Sequence, residues 1–211
     1  MVVENTSNKP LTGYHQTKTP TCKRVKVFPL PLFLLPGAVT QLRIFEPKYL
    51  QMVKDSYQDG GFVIARFDAN QEFNVPNWGC HVEIIDFHAG DDNVLVIDVK
   101  ALKLVQLDEF LYLDNQLLCA TANHLSHWSP RQHSSVTDEL AVFLAEIYQR
   151  EPELKRLYSK VRLDDPLWVC ARILEIIPLS LIEKEKFIGE QEFEHLVCFL
   201  QTVIFGQINK N

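Results

Sequence analysis

The chain has 211 residues, 46% of them hydrophobic and 23% charged, with a formal net charge of −6. This is the composition of a folded globular protein, not of a disordered or fibrous one, and the length suits one large domain or two small ones. The acidic excess argues against a general nucleic-acid binder, which carries a basic excess or a basic face.

Residues 1–24 are polar and aperiodic and are expected to form a flexible N-terminal tail. The next stretch, VFPLPLFLLPGAVTQLRIFEPKYLQMV from Val27 to Val53, holds four prolines. Its apolar half is too short to span a bilayer and is interrupted by proline. No small-residue cleavage site follows, so it reads as part of a soluble fold rather than a signal. Pro29 and Pro31 fit an edge or irregular strand, Pro36-Gly37 a turn, and Pro47 the first position of a helix.

Within AVTQLRIF, Thr40, Leu42 and Ile44 share one strand face, and Gln41 and Arg43 the other. The helix opened by Pro47 carries Tyr49, Leu50, Val53 and Tyr57 on one side and ends at Gly60-Gly61. Strands are then predicted in GFVIARF, WGCHVEIIDF and NVLVIDVKALKLVQL. FLYLDNQLLCATANHL reads as two further strands around an Asp114-Asn115 turn.

After about Pro130 the period becomes helical. Ser135 with Asp138 resembles a capping box before a helix with Val136, Leu140, Phe143, Leu144 and Ile147 on its apolar face. Pro152 opens a second helix, and Asp165-Pro166 opens a third that Pro178 stops. Ser180 with Glu183 caps a fourth, with Gly189 beyond it. The last helix aligns Phe193, Leu196, Val197, Leu200, Val203 and Ile204 and closes at Gly206. Strands grouped first and helices afterwards predict an α+β fold, with a β-rich subdomain over 25–128 and a helical subdomain over 129–211.

No phosphate-cradling loop, dinucleotide fingerprint, nucleophile elbow or HExxH zinc motif is present in the sequence. The five cysteines are dispersed and mostly flanked by apolar residues, which predicts buried reduced thiols and a cytoplasmic setting. Cys80 and His81 are strand neighbours that point to opposite faces, so they do not make a nucleophile–base pair. His124, His127 and His133 lie in the linker between the halves, where they read as solvated side chains. Trp168 reads as core. Trp78 and Trp128 read either as gap fillers or as anchors for a partner.

FPLPLFLLPGAVTQLRIFEPKYLQMV resembles the entry motif of the Lon protease N-terminal (substrate-binding) domain family. Phe28-Pro29-Leu30, Pro36-Gly37, Leu42 to Pro47 and Lys48-Tyr49 match its pattern in order. WGCHVEIIDF is similar to a later glycine-entered strand of the family, and DPLWVCARILEIIPLSLIEKEKFI to its helical part. The sequence departs from the family where VKALKLV replaces a Gly-x-Arg-Phe turn.

The resemblance implies a PUA-like β pseudo-barrel followed by a C-terminal helical bundle. Lacking ATPase and protease motifs, the chain resembles a stand-alone Lon-domain protein. The expected function is non-catalytic binding of a polypeptide partner or unfolded substrate, with no cofactor and no metal. Arg43, Lys48, Tyr49, Trp78 and His81 are candidate binding residues. RNA binding by fold analogy is the alternative. An unrecognised hydrolase or metal enzyme built on Cys80 or on His124 and His127 is a third reading.

Overall fold

A computed structural model describes residues 24–206, apart from Asp91 and the side chain of Tyr57. The chain order is β1 (Arg24–Leu30), β2 (Val39–Ile44), α1 (Pro47–Asp59), β3 (Phe62–Arg66), β4 (Trp78–Ala89), β5 (Leu95–Tyr112) and β6 (Leu118–His124). The helices α2 (Ser135–Arg150), α3 (Pro152–Arg156), α4 (Pro166–Ile176), α5 (Leu181–Glu185) and α6 (Phe193–Phe205) follow. The architecture is α+β. The expected tail lies outside the described residues, except that Arg24 already belongs to β1.

The sheet runs β2-β5-β4-β3-β1-β6, and a further β5–β6 pairing closes five of its strands into a ring, with β2 outside on β5. β1 pairs in parallel with β3 over Val27–Leu30 and antiparallel with β6 over Arg24–Val27. Pro29 therefore lies where β1 has β3 alone as its partner. One side of the strand is free there to accept a residue without an N–H. Gly37 takes φ +86 in the predicted turn, and Pro47 opens α1.

Strand alternation divides the buried side chains into two cores. Phe28, Phe62, Ile64, Val82 and Leu104 face the helices and join Leu140, Leu144, Trp168, Ile173 and Leu196. Val27, Val63, Ala65, Val105 and Leu118 point the other way into a smaller cluster. β3 is buried along its whole length, which explains the unbroken apolar run Phe62–Ala65 ahead of Arg66.

Polar contacts clamp the helices onto the sheet. Arg172 on α4 donates to the carbonyls of Leu35 (3.1 Å) and Pro36 (3.3 Å) and to Glu175 (2.9 Å). Glu175 in turn accepts from the Leu35 N–H at 2.7 Å, and Lys184 donates to the Glu175 carbonyl at 2.7 Å. Arg66 at the end of β3 pairs with Glu185 on α5 and with Asp68.

Several expectations are corrected. FLYL does not start a new strand. β5 is one strand of 18 residues, with a register break between Asp108 and Leu111 and φ +50 at Glu109. In α1 the buried positions are Met52 and Ser56, with Tyr49 and Val53 half-buried and Leu50 turned outward. The expected inward placement of Tyr57 lies outside the described residues.

The cap of α2 is Ser134 with Thr137, one residue ahead of the predicted box. Asp138 instead meets His133. Gly189 is not the residue that ends α5, since the helix stops at Glu185 with Lys186 as its cap. On α6, Val203 is exposed while Phe193, Leu196 and Leu200 are buried. Asp165, Ser180 and Gly206 cap where expected.

Candidate functional site

β2 leaves the sheet at Ile44, opposite Leu95, and Leu95 is opposite Ala89 at the end of β4. The β2–α1 corner and the β4–β5 turn therefore share one end of the sheet. Along the row next to this end, Leu42, Ile97 and Phe87 are aligned across three strands. Residues directly paired in this way share a face. Leu42 and Ile97 are buried, whereas Phe87 is 68% exposed. The core face thus emerges into solvent at Phe87.

A register break between Ile84 and Asp86 displaces Ile85, which is 48% exposed, and Phe45 just beyond β2 is 72% exposed. Phe45, Ile85 and Phe87 thus put three large apolar side chains in solvent towards one end of the sheet, where each is a candidate contact point for a partner.

Of the five predicted binding residues, Arg43 lies at this tip, and Lys48 and Tyr49 belong to the first turn of α1, which follows it in the chain. Arg43 reaches from β2 to Asp92 in the β4–β5 turn. Lys48 stands 4.8 Å from the centre of the Tyr49 ring and 3.4 Å from Glu46. Burial alone would lower the Lys48 pKa, but Tyr49 and Glu46 outweigh it and hold the ammonium above its ordinary value. Tyr49 packs on Phe28 at 4.0 Å between centroids, and burial raises its phenol. Trp78 and His81 are elsewhere on β4. Trp78 is half-buried edge-on to Phe33 at 6.1 Å, and His81 is aligned with Val63 and Lys103. The set therefore divides between the tip, the start of α1 and the middle of the sheet.

A concavity of about 700 Å³ lies between β5, the linker after β6 and the start of α4. It opens where β5 changes partner, from β2 over residues 95–100 to β6 over residues 105–112. Sequence reasoning missed it because the switch is long-range.

The linker histidines are not uniformly solvated. His124 is not in the linker but is the exposed last residue of β6, and His133 is exposed, but His127 is half-buried, stacked on Trp128 at 4.2 Å, with Nδ1 2.8 Å from the Ile188 carbonyl. Burial lowers its pKa, against the opposing effect of that hydrogen bond. Trp128 fills the gap between the halves, its indole N–H donating to the Phe187 carbonyl at 2.7 Å. Among the described residues no cluster of three or more His, Cys, Asp or Glu could hold a metal ion. Burial pushes the Cys80 thiol up to about 12, which suits a core side chain and not a nucleophile. Among the described residues no helix is long and apolar enough to cross a membrane.

Comparison with known proteins gives the fold a context. Among curated proteins none matches the chain. The crystal structure of a Lon N-terminal domain protein from Xanthomonas campestris is similar, with TM-score 0.67 and 25% identity, over 85% of this chain and 98% of that one. The N-terminal domain of the Mycobacterium avium complex Lon protease shares the fold, with TM-score 0.61 and 16% identity, over 85% of this chain and 96% of that one. The model of the ATP-dependent protease La (LON) substrate-binding domain matches residues 24–191. The chain belongs to this substrate-binding domain family.

Proposed function

We propose that this protein is a non-catalytic module that binds unfolded polypeptide in protein quality control, as an adaptor, through the apolar tip of its sheet. The observation that carries this reading is the exposure of Phe45 and Phe87 beside the buried row of Leu42 and Ile97. Family membership supports a role in substrate binding for proteolysis. In this reading the strand ring is PUA-like, residues 129–211 act as a helical bundle buttressing residues 25–128, and the protein works in the cytoplasm. Arg43, Lys48 and Tyr49 frame the tip, with Lys48 and Tyr49 giving it a cationic and aromatic margin. Trp78 and His81 contribute from farther along β4.

The test is fluorescence anisotropy with a labelled, permanently unfolded polypeptide. The double variant Phe45→Ser/Phe87→Ser should bind at least about tenfold more weakly, because apolar anchors dominate such contacts. Its thermal unfolding should stay close to that of the parent, since both side chains are already largely in solvent. Undiminished binding would remove the tip from consideration. Tight binding of single-stranded RNA, with a steep loss in salt, would instead favour the nucleic-acid reading.

A further inference from the structure

β2 forms an outer edge of the sheet, with β5 as its only strand partner among the described residues. We propose that this edge binds polypeptide by strand addition, a segment of unfolded chain pairing its main chain with that of Gln41 and Arg43. The proposal rests on the reading of the protein as a binder of unfolded polypeptide, and it assigns the contact by which the chain is held.

In an antiparallel ladder the main-chain groups turn alternately toward and away from the partner strand. The phase is set just before β2. The Gly37 N–H donates to the Ala101 carbonyl at 2.8 Å, and the Ala101 N–H donates to the Ala38 carbonyl at 2.8 Å. Gly37, with φ +86, thus shares Ala101 with Ala38 in a glycine-led bulge. From there the hydrogen-bonded pairs with β5 fall at Thr40–Val99, Leu42–Ile97 and Ile44–Leu95. Val39, Gln41 and Arg43 therefore turn their N–H and C=O groups away from β5. The Val39 N–H is a donor to the Tyr158 hydroxyl, as this direction requires. The corresponding groups of Gln41 and Arg43 have no partner among the described residues.

The side chains leave this edge open. Gln41 donates to Asp98 on β5 at 3.0 Å, and Arg43 reaches Asp92 in the β4–β5 turn, so both are drawn back across the sheet. Other open stretches carry the devices that block strand pairing. β1 has Pro29 where β3 is its sole partner among the described residues. β4 breaks register between Ile84 and Asp86, beyond the last residue it pairs with β3. β2 has neither a proline nor a register shift.

The unpaired groups recur at every second residue, about 7 Å apart, which is the repeat of an extended chain. A helix bonds its own main chain and cannot answer them. Strand addition draws its affinity from main-chain bonds that almost any sequence can offer, which suits an unfolded partner. Phe45 follows directly on β2, so the added strand runs toward the exposed tip.

Amide hydrogen exchange read by NMR tests this on the full chain, without and with a saturating, permanently unfolded polypeptide. The amides of Gln41 and Arg43 should exchange at least about tenfold more slowly in the complex. Those of Thr40, Leu42 and Ile44, already bonded to β5, should change little. By anisotropy, Gln41→Pro should bind about tenfold more weakly than Gln41→Ala. Both lack the side chain, but only proline loses the N–H and sets a ring in the path of the added strand. Proline is tolerated at an outward-facing edge position, and matched thermal unfolding checks that both variants fold.

Unchanged exchange at Gln41 and Arg43 in the saturated complex, or equal binding by the two variants, would overturn the proposal. Protection that rises with protein concentration alone would overturn it by assigning the edge to a second copy of the chain. Protection in the free protein at every concentration would do so by assigning it to a segment of the same chain. Loss of binding in Phe45→Ser/Phe87→Ser, with no edge protection in the parent, keeps the tip reading and refutes this one. Edge protection with undiminished binding by that variant does the reverse. A parent that binds no unfolded polypeptide refutes both.

Discussion

Replacing Arg172 by methionine removes the cation at the centre of the clamp between α4 and the proline-rich segment. The side chain is 1% exposed, with its Nε 2.8 Å from Glu175. Its loss strands the Leu35 and Pro36 carbonyls and leaves the Glu175 carboxylate buried without its closest countercharge. Removing one partner of a buried pair costs about 3–5 kcal/mol, chiefly through the charge left behind. In a domain of this size each kcal/mol moves the melting temperature by about 2–4 °C, so a drop of roughly 6–20 °C is expected. The second variant, Arg172→Met with Glu175→Leu, removes the stranded charge as well. It should recover part of the loss, though not all, because the Leu35 N–H then lacks its acceptor, at about 1–3 kcal/mol.

Differential scanning calorimetry with urea titrations reads both changes. Tryptophan emission gives an independent signal, because Arg172 lies 5.6 Å from the Trp168 ring. A single variant within about 1 kcal/mol of the parent, or a double variant no more stable than the single, would refute the view that this ion pair fastens the two halves.

Two further outcomes follow from local geometry. Gly60 and Gly61 both have positive φ, at +82 and +110, but a Cβ on Gly60 meets nothing, whereas one on Gly61 would lie 2.0 Å from the Val82 carbonyl oxygen. Gly60→Ala should cost about 1–2 kcal/mol from the left-handed backbone alone. Gly61→Ala should cost clearly more, as measured by urea unfolding. For His127, burial holds the folded pKa below the ordinary value of 6.5. Its contribution to stability is therefore present above that value and lost as pH falls through the lowered folded value. A His127→Gln variant should show a shallower loss of stability on acidification, measured as unfolding midpoints from neutral to mildly acidic pH. An unchanged pH profile would contradict this.

What could be read from the sequence was local. Pro47, Asp165, Ser180 and Gly206 announce helix ends because caps and fixed φ values act within a single turn. The alternation in β2 places Leu42 inward and Arg43 outward for the same reason. Features that depend on distant partners were not visible. The switch of β5 from β2 to β6 depends on strands on either side of it in sequence, so neither its full length nor the cleft beside it has a local signature. The Arg172–Glu175 pair does leave a trace, two charges spaced i, i+3 in an otherwise apolar helix, but nothing local ties them to Leu35 and Pro36 some 140 residues earlier. The exposed Phe87 is likewise indistinguishable by alternation from a buried one. It is on the same face as Ile97, and only its place at the end of the ladder puts it in water.

The pairing of β1 has a consequence for synthesis. This strand leaves the ribosome before either of its neighbours, and Arg24 ends up opposite Thr121 while Val27 meets both Val63 and Leu118. Until β6 has emerged, β1 cannot complete its antiparallel ladder, and its PLFLL continuation must wait longer still for Arg172 and Glu175 on α4. The nascent chain therefore carries an apolar segment that stays without its final cover through most of translation, a period in which such segments are prone to wrong association. A member of the substrate-binding domain family of an ATP-dependent protease passes through that condition each time it is made.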